Sequence, residues 1–144
     1  MSSLTASNEH YVKAIYMLEH DGEGARISDI AAVLGVTKAS ACTAMKALQS
    51  KKLIDRDAYR LVCLTIKGEV QAILAIHKNT IIRNFFVEVL DINKEITSKD
   101  ACAIEHVISM ETLCALCRCL HKSECLHSCN WFPKQNLIAK YYET

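Results

Sequence analysis

Proline occurs once in the 144-residue chain, at Pro133, and glycine only four times. That scarcity excludes a fold made of many tight turns, such as a β-sandwich or a barrel, and favours helices. Aromatic residues are sparse at 6 %, while 51 % of the chain is hydrophobic, so the core must be largely aliphatic. No stretch approaches the roughly 20 unbroken apolar residues that a membrane-spanning helix needs. Met1-Ser2-Ser3-Leu4-Thr5 lacks the basic-then-apolar opening of a secretory signal. The expectation is a soluble, cytoplasmic protein that makes no membrane contact. The formal net charge is only +1, so any surface for nucleic acid has to be local. A His-Glu-x-x-His helix, a nucleophile elbow and a glycine-rich phosphate loop are all missing, which argues against an enzyme.

What the chain does have is cysteine: eight in all, six of them between Cys102 and Cys129. In a reducing compartment such residues serve as core, as metal ligands or as redox groups rather than as disulfides.

Hydrophobic periodicity predicts a mainly α fold. A first helix over about Asn8–Glu19 carries Tyr11, Ala14, Ile15 and Leu18 on one face, at helical spacing. Ser28 is read as the N-cap of a short helix over Asp29–Leu34, Gly35 as the turn, and Thr37 as the cap of a third helix reaching about Lys51. Leu53–Arg56 and Leu61–Thr65 read as strands around Asp57-Ala58-Tyr59-Arg60. Helix, helix, glycine turn, helix and hairpin, in that order, make a winged helix-turn-helix. A long helix from Ile66 to about Leu90 follows, with helices over about Ser98–Val107 and Ser109–Leu120 beyond it. The chain therefore divides into a DNA-binding domain over residues 1–66 and a helical domain over residues 67–144 with a Cys/His-rich tail.

In a helix-turn-helix the second helix of the motif enters the major groove with its N-terminal side chains at the base edges. Those are Lys38, Ala39, Ser40 and Thr43, with Lys46 further along. Ser and Thr hydroxyls discriminate modestly, and Ala39 suits a thymine methyl. Lys46 and wing residue Arg60 suit phosphates, which orient without reading sequence. For any single lysine a solvated face is an equally good reading; the whole arrangement carries the inference.

Cys102, Glu105 and His106 fall at i, i+3 and i+4, one face of a helix with β-carbons roughly 5–6 Å apart. A thiol, a carboxylate and an imidazole form a mixed donor set suited to divalent iron, zinc or cobalt. His77, on the otherwise apolar face of the long helix, and His10, in the first helix, add two imidazoles. Cys114 and Cys117 read as small core residues. Cys125, His127 and Cys129 are dense enough for a second metal or redox site, which leaves an alternative reading as a redox or iron–sulfur sensor.

Several stretches together resemble the diphtheria-toxin-repressor and manganese-transport-regulator family of bacterial metalloregulators. They are the run from Glu9 to Tyr16, Arg26-Ile27-Ser28-Asp29-Ile30-Ala31, Leu34-Gly35-Val36, Tyr59-Arg60, Leu64-Thr65-Ile66-Lys67-Gly68 and the run from Cys102 to Ser109. The resemblance implies a homodimer that binds a palindromic operator in double-stranded DNA when loaded with a divalent metal, and represses metal-uptake genes. It places His10, Cys102, Glu105 and His106 at ligand positions and His77 at a histidine of a second site. Cys102 is typical of the iron-responsive branch, so Fe(II) is expected ahead of Mn(II), with Zn(II) a third candidate. Lys13 stands where manganese-type members carry a glutamate, so one principal site per subunit is expected.

Overall fold

The computed structural model describes residues 5–19, 23–56 and 61–120. They form helices α1 (Ala6–Leu18), α2 (Ile27–Leu34) and α3 (Lys38–Ser50), strands β1 (Ile54–Arg56) and β2 (Val62–Leu64), then α4 (Ile66–Glu88), α5 (Lys94–Ile104) and α6 (Met110–Leu120). The fold is mainly helical, with the helix-turn-helix and hairpin that the sequence pattern predicts. Two compact units divide between Ile73 and Leu74, inside α4.

In the first unit α1, α2 and α3 pack together, α1 also meets β2, and α3 also meets β1. Val12, Ile15, Ile30, Met45, Leu48 and Ile54 are fully enclosed among them. Each such side chain contributes about 1.5–3 kcal/mol by leaving water. Thr5 begins α1, its hydroxyl accepting from the Asn8 N–H, and Thr37 begins α3 by accepting from the Ser40 N–H at 3.1 Å. Gly35, at φ 64°, takes the left-handed conformation that ends α2, its N–H shared between the Ala31 and Ala32 carbonyls. That is where glycine is least costly.

Two boundaries differ from expectation. Ser28 does not cap α2; its hydroxyl meets the Asp29 side chain, and the helix begins at Ile27. The cause lies upstream. Ala25 exchanges both backbone hydrogen bonds with Val62, at 2.8 and 2.9 Å. The chain leaves that bridge at once into the helix, and the Arg26 carbonyl receives the Asp29 and Ile30 N–H groups. Helix α5 runs over Lys94–Ile104 rather than Ser98–Val107, because the Asn93 side chain takes the Glu95 N–H at 2.7 Å and starts it early.

In the second unit Ile81, Ile82, Ala101, Leu113 and Cys117 form the core, with Cys114 packed against it. Cys114 and Cys117 thus have the core role their helical spacing suggests. Burial pushes the Cys117 thiol above its ordinary range; Cys114 adds to this and Arg118 partly offsets it.

At the junction of hairpin and α4, Thr65 donates its hydroxyl to the Lys52 carbonyl at 2.8 Å and accepts the Gly68 N–H at 3.1 Å. Gly68 lies so close to Leu53 that a methyl group there would collide with the Leu53 carbonyl oxygen. Gly68→Ala should therefore destabilise the protein by about 1–3 kcal/mol, the usual cost of overpacking, read as a lowered urea midpoint at unchanged slope. Alkylation of the native protein at neutral pH should label exposed Cys119 about tenfold or more ahead of Cys117, since only thiolates react. Peptide mapping by mass spectrometry would detect the order.

Candidate metal centre and nucleic-acid interface

Cys102 lies near the C-terminal end of α5, and Glu105 caps that helix with its N–H still bonded to the Ala101 carbonyl at 2.9 Å. Because Glu105 keeps right-handed helical dihedrals (φ −54°, ψ −26°), Cys102 and Glu105 retain one-turn spacing and share a face. His106 belongs to the turn beyond, where the Val107 and Ile108 N–H groups both return to the Ile104 carbonyl. The helix ends where the donors gather. Cys102, Glu105 and His106 each offer one ligand atom, and these atoms lie within 4.8 Å of one another.

Glu105 is fully buried, whereas Cys102 and His106 are half-buried. A carboxylate removed from water costs several kcal/mol unless charge or hydrogen bonds offset it. One carboxylate oxygen lies 3.6 Å from His106 Nε2. Thiolate, carboxylate and imidazole around one point are the donors that divalent transition ions take, so these residues fit a metal ion.

His10 sits half-buried on α1 in the first unit. His77 is half-buried on α4 and falls outside the close-set donor group. Cys125, His127 and Cys129, the candidate second site, lie outside the described residues.

On the nucleic-acid side, Lys38, Ala39, Ser40, Thr43 and Lys46 are all exposed on α3. Thr43 donates its hydroxyl to the Ala39 carbonyl at 3.1 Å, and Ser40 and Thr37 hydroxyls pair at 2.9 Å. Their hydroxyl hydrogen bonds thus stay partly within the helix, beside the exposed Ala39 and the two lysines. Arg60 lies outside the described residues. No single helix among the described residues is long and apolar enough to cross a membrane.

Sequence reading missed Glu19, whose carboxylate accepts the Leu64 N–H at 2.8 Å and so ties α1 to the hairpin. A signal was available: a carboxylate at a helix C-terminus faces the negative end of the dipole and needs a partner elsewhere.

Comparison with known proteins identifies two domains along the chain. Residues 3–62 match the iron dependent repressor N-terminal DNA binding domain, and residues 65–132 match the iron dependent repressor metal binding and dimerisation domain. The transcriptional regulator MntR of Escherichia coli O157:H7 is 36 % identical over 105 residues, spanning 73 % of this chain and 67 % of that protein. Among solved structures, the manganese regulator SloR superposes with a TM-score of 0.72 at 25 % identity, covering 82 % of this chain and 55 % of that one. The hypothetical protein SSo2273 from Sulfolobus solfataricus gives 0.66 at 25 % identity, covering 86 % and 95 %. This chain therefore spans about two thirds of the Escherichia coli relative and about half of SloR. With a DNA-binding domain joined to a metal-binding and dimerisation domain over nearly all of its described residues, the chain belongs to the iron-dependent repressor family of metal-dependent transcriptional regulators and is not an enzyme.

Proposed function

We propose that this regulator is a cytoplasmic, Fe(II)-activated homodimeric repressor of metal-uptake genes that binds a palindromic operator. The observation that carries the reading is the thiol, carboxylate and imidazole of Cys102, Glu105 and His106 gathered at the end of α5. A thiolate is softer than a carboxylate, which favours Fe(II) over Mn(II) and leaves Zn(II) as a competitor. His10, at a ligand position by its likeness to the family, is the fourth donor of one principal site per subunit, with His77 a further participant. The bound ion would place positive charge beside buried Glu105. Two copies would then set their recognition helices one DNA turn apart, as half-site geometry requires. Val89, Leu90, Ile96 and Val107, all large, apolar and exposed, support a second copy as partner on the helical unit. On each α3, Ala39 and the Thr43 methyl suit thymine methyls, while Lys38, Lys46 and Arg60 suit phosphates or guanine edges.

The manganese regulator among the similar structures makes Mn(II) the direct rival. Anaerobic binding to a family-type palindrome with Fe(II), Mn(II), Zn(II) or chelator separates them. Tight binding with Fe(II) ahead of Mn(II), and none in chelator, is expected; equal binding in chelator would refute metal activation. Metal and DNA must enhance each other by the same factor, since linkage is reciprocal. Glu105→Ala and Glu105→Gln should each weaken metal binding about 100-fold or more, beyond what loss of an outer-shell partner costs, with helical circular dichroism retained. An undiminished metal response in both variants would remove Glu105 from the site.

A further inference from the structure

The reader unit holds a pair of carboxylates that neither the donor set nor the recognition helix uses. They line an open crevice of about 520 Å³ between the end of α1, β2 and the start of α4, with Tyr16, Glu19, Cys63, Leu64 and Glu69 as its walls. Glu19 comes from α1 and Glu69 from the first turn of α4.

Strand geometry explains what Glu19 does there. Val62 exchanges its two backbone hydrogen bonds with Ala25, so its polar groups face away from β1. Residues two apart in a strand face the same way. The Leu64 N–H therefore also points away from β1, to a place where, among the described residues, no further strand residue meets it. Glu19 Oε1 fills that place at 2.8 Å. One side-chain oxygen continues the ladder that Ala25 begins.

We propose that Glu19 is a positioning residue for the wing hairpin, its carboxylate standing in for a third strand on β2, and that its burial opposite Glu69 makes this hold proton-sensitive. Among the described residues the groups facing it are Tyr16 on its own helix, Cys63 on β2 and Glu69 on α4. Burial raises the Glu19 carboxyl above the ordinary carboxylate range; the Leu64 N–H partly offsets this, and Glu69 raises it further. A carboxyl whose folded value is raised stabilises the closed state fully below its ordinary value, and that contribution is lost as pH rises through the raised value. Acidification from neutrality therefore favours the closed crevice: protonation weakens the bond to Leu64, but it relieves the larger costs of burial and of Glu69. The positioning role rests on the hairpin's being a DNA-contacting wing, but the clamp itself can be tested without DNA.

Amide exchange at Leu64, corrected for the intrinsic rate at each pH, reads the clamp directly. Protection in the unaltered protein should increase as pH falls from neutrality. Glu19→Gln, which keeps an acceptor but not the charge, should hold Leu64 protected with that dependence removed, and Glu69→Gln should weaken the dependence. Glu19→Ala should cost about five- to tenfold in protection, the worth of one hydrogen bond. Protection independent of pH in the unaltered protein, or equal losses in Glu19→Gln and Glu19→Ala, would overturn the proposal. Anaerobic salt elution from an immobilised family-type palindromic duplex, with Fe(II) and in parallel with Mn(II), then tests the wing. Glu19→Ala should elute earlier and Glu19→Gln with the parent protein. Altered exchange with unaltered elution would overturn the positioning role. A parent protein that is not retained at all would refute DNA binding, and the role with it, leaving the exchange result standing.

Discussion

The close approach of α4 to the end of the hairpin is the constraint on which the reader unit depends. Gly68 lies against the Leu53 carbonyl without room for a methyl group, while Thr65 both starts α4 and bonds back to Lys52 at the end of α3. Lys52 itself turns the chain at φ 57°, with the Leu53 N–H returning to the Leu48 carbonyl at 3.0 Å. Recognition helix, hairpin and α4 thus meet within a few residues, through backbone groups that allow little slack. Packing this dense deforms little. A regulator gains from that, because the start of α4 cannot drift relative to α3.

The donor set obeys a different constraint. Metal ligands need mixed chemistry around one point, and a straight helix offers only positions three and four apart on one face. Ending α5 at Ile104 releases that restriction. Glu105 retains the helical spacing to Cys102, while His106 turns with the chain. Glu105 itself is enclosed, so a cation held beside it would be little screened by water. A site of this kind attracts a cation more strongly than an exposed carboxylate of the same geometry would.

Much of this was legible in the sequence because it rests on periodicity and on residues with narrow conformational uses. Gly35 marks its turn, Thr37 its cap, and the apolar spacing of Tyr11, Ala14 and Ile15 its helix. The grouping of Cys102, Glu105 and His106 is equally local, since three candidate donors within five residues advertise themselves by spacing. What escaped depends on contacts distant along the chain. The start of α2 is set by the bridge between Ala25 and Val62, 37 positions apart in the chain, and Glu19 finds Leu64 across a separation of 45 residues. Neither partner carries a local signature, since any residue has an N–H. The extent of α5 differs from expectation for a simpler reason: the Asn93 side chain caps the helix, and asparagine suits a loop as readily as a cap.

The same distinction bears on the cysteines, the chain's most conspicuous composition. Six between Cys102 and Cys129 invite a single explanation such as a cluster, yet the described ones divide by environment. Cys102 is half-buried beside a carboxylate and an imidazole, Cys117 is enclosed among Ile81, Ile82 and Leu113, Cys114 packs beside it, and Cys119 is exposed. A thiol held in its protonated form by burial is a poor ligand and a poor nucleophile, so Cys117 serves packing. Cysteine is small, apolar and readily buried, and a helix that presents Leu113, Leu116 and Leu120 to the same core can use it as it would alanine. An iron–sulfur or redox reading therefore draws no support from α6, and the thiol with metal-site surroundings among the described residues is the one at the end of α5.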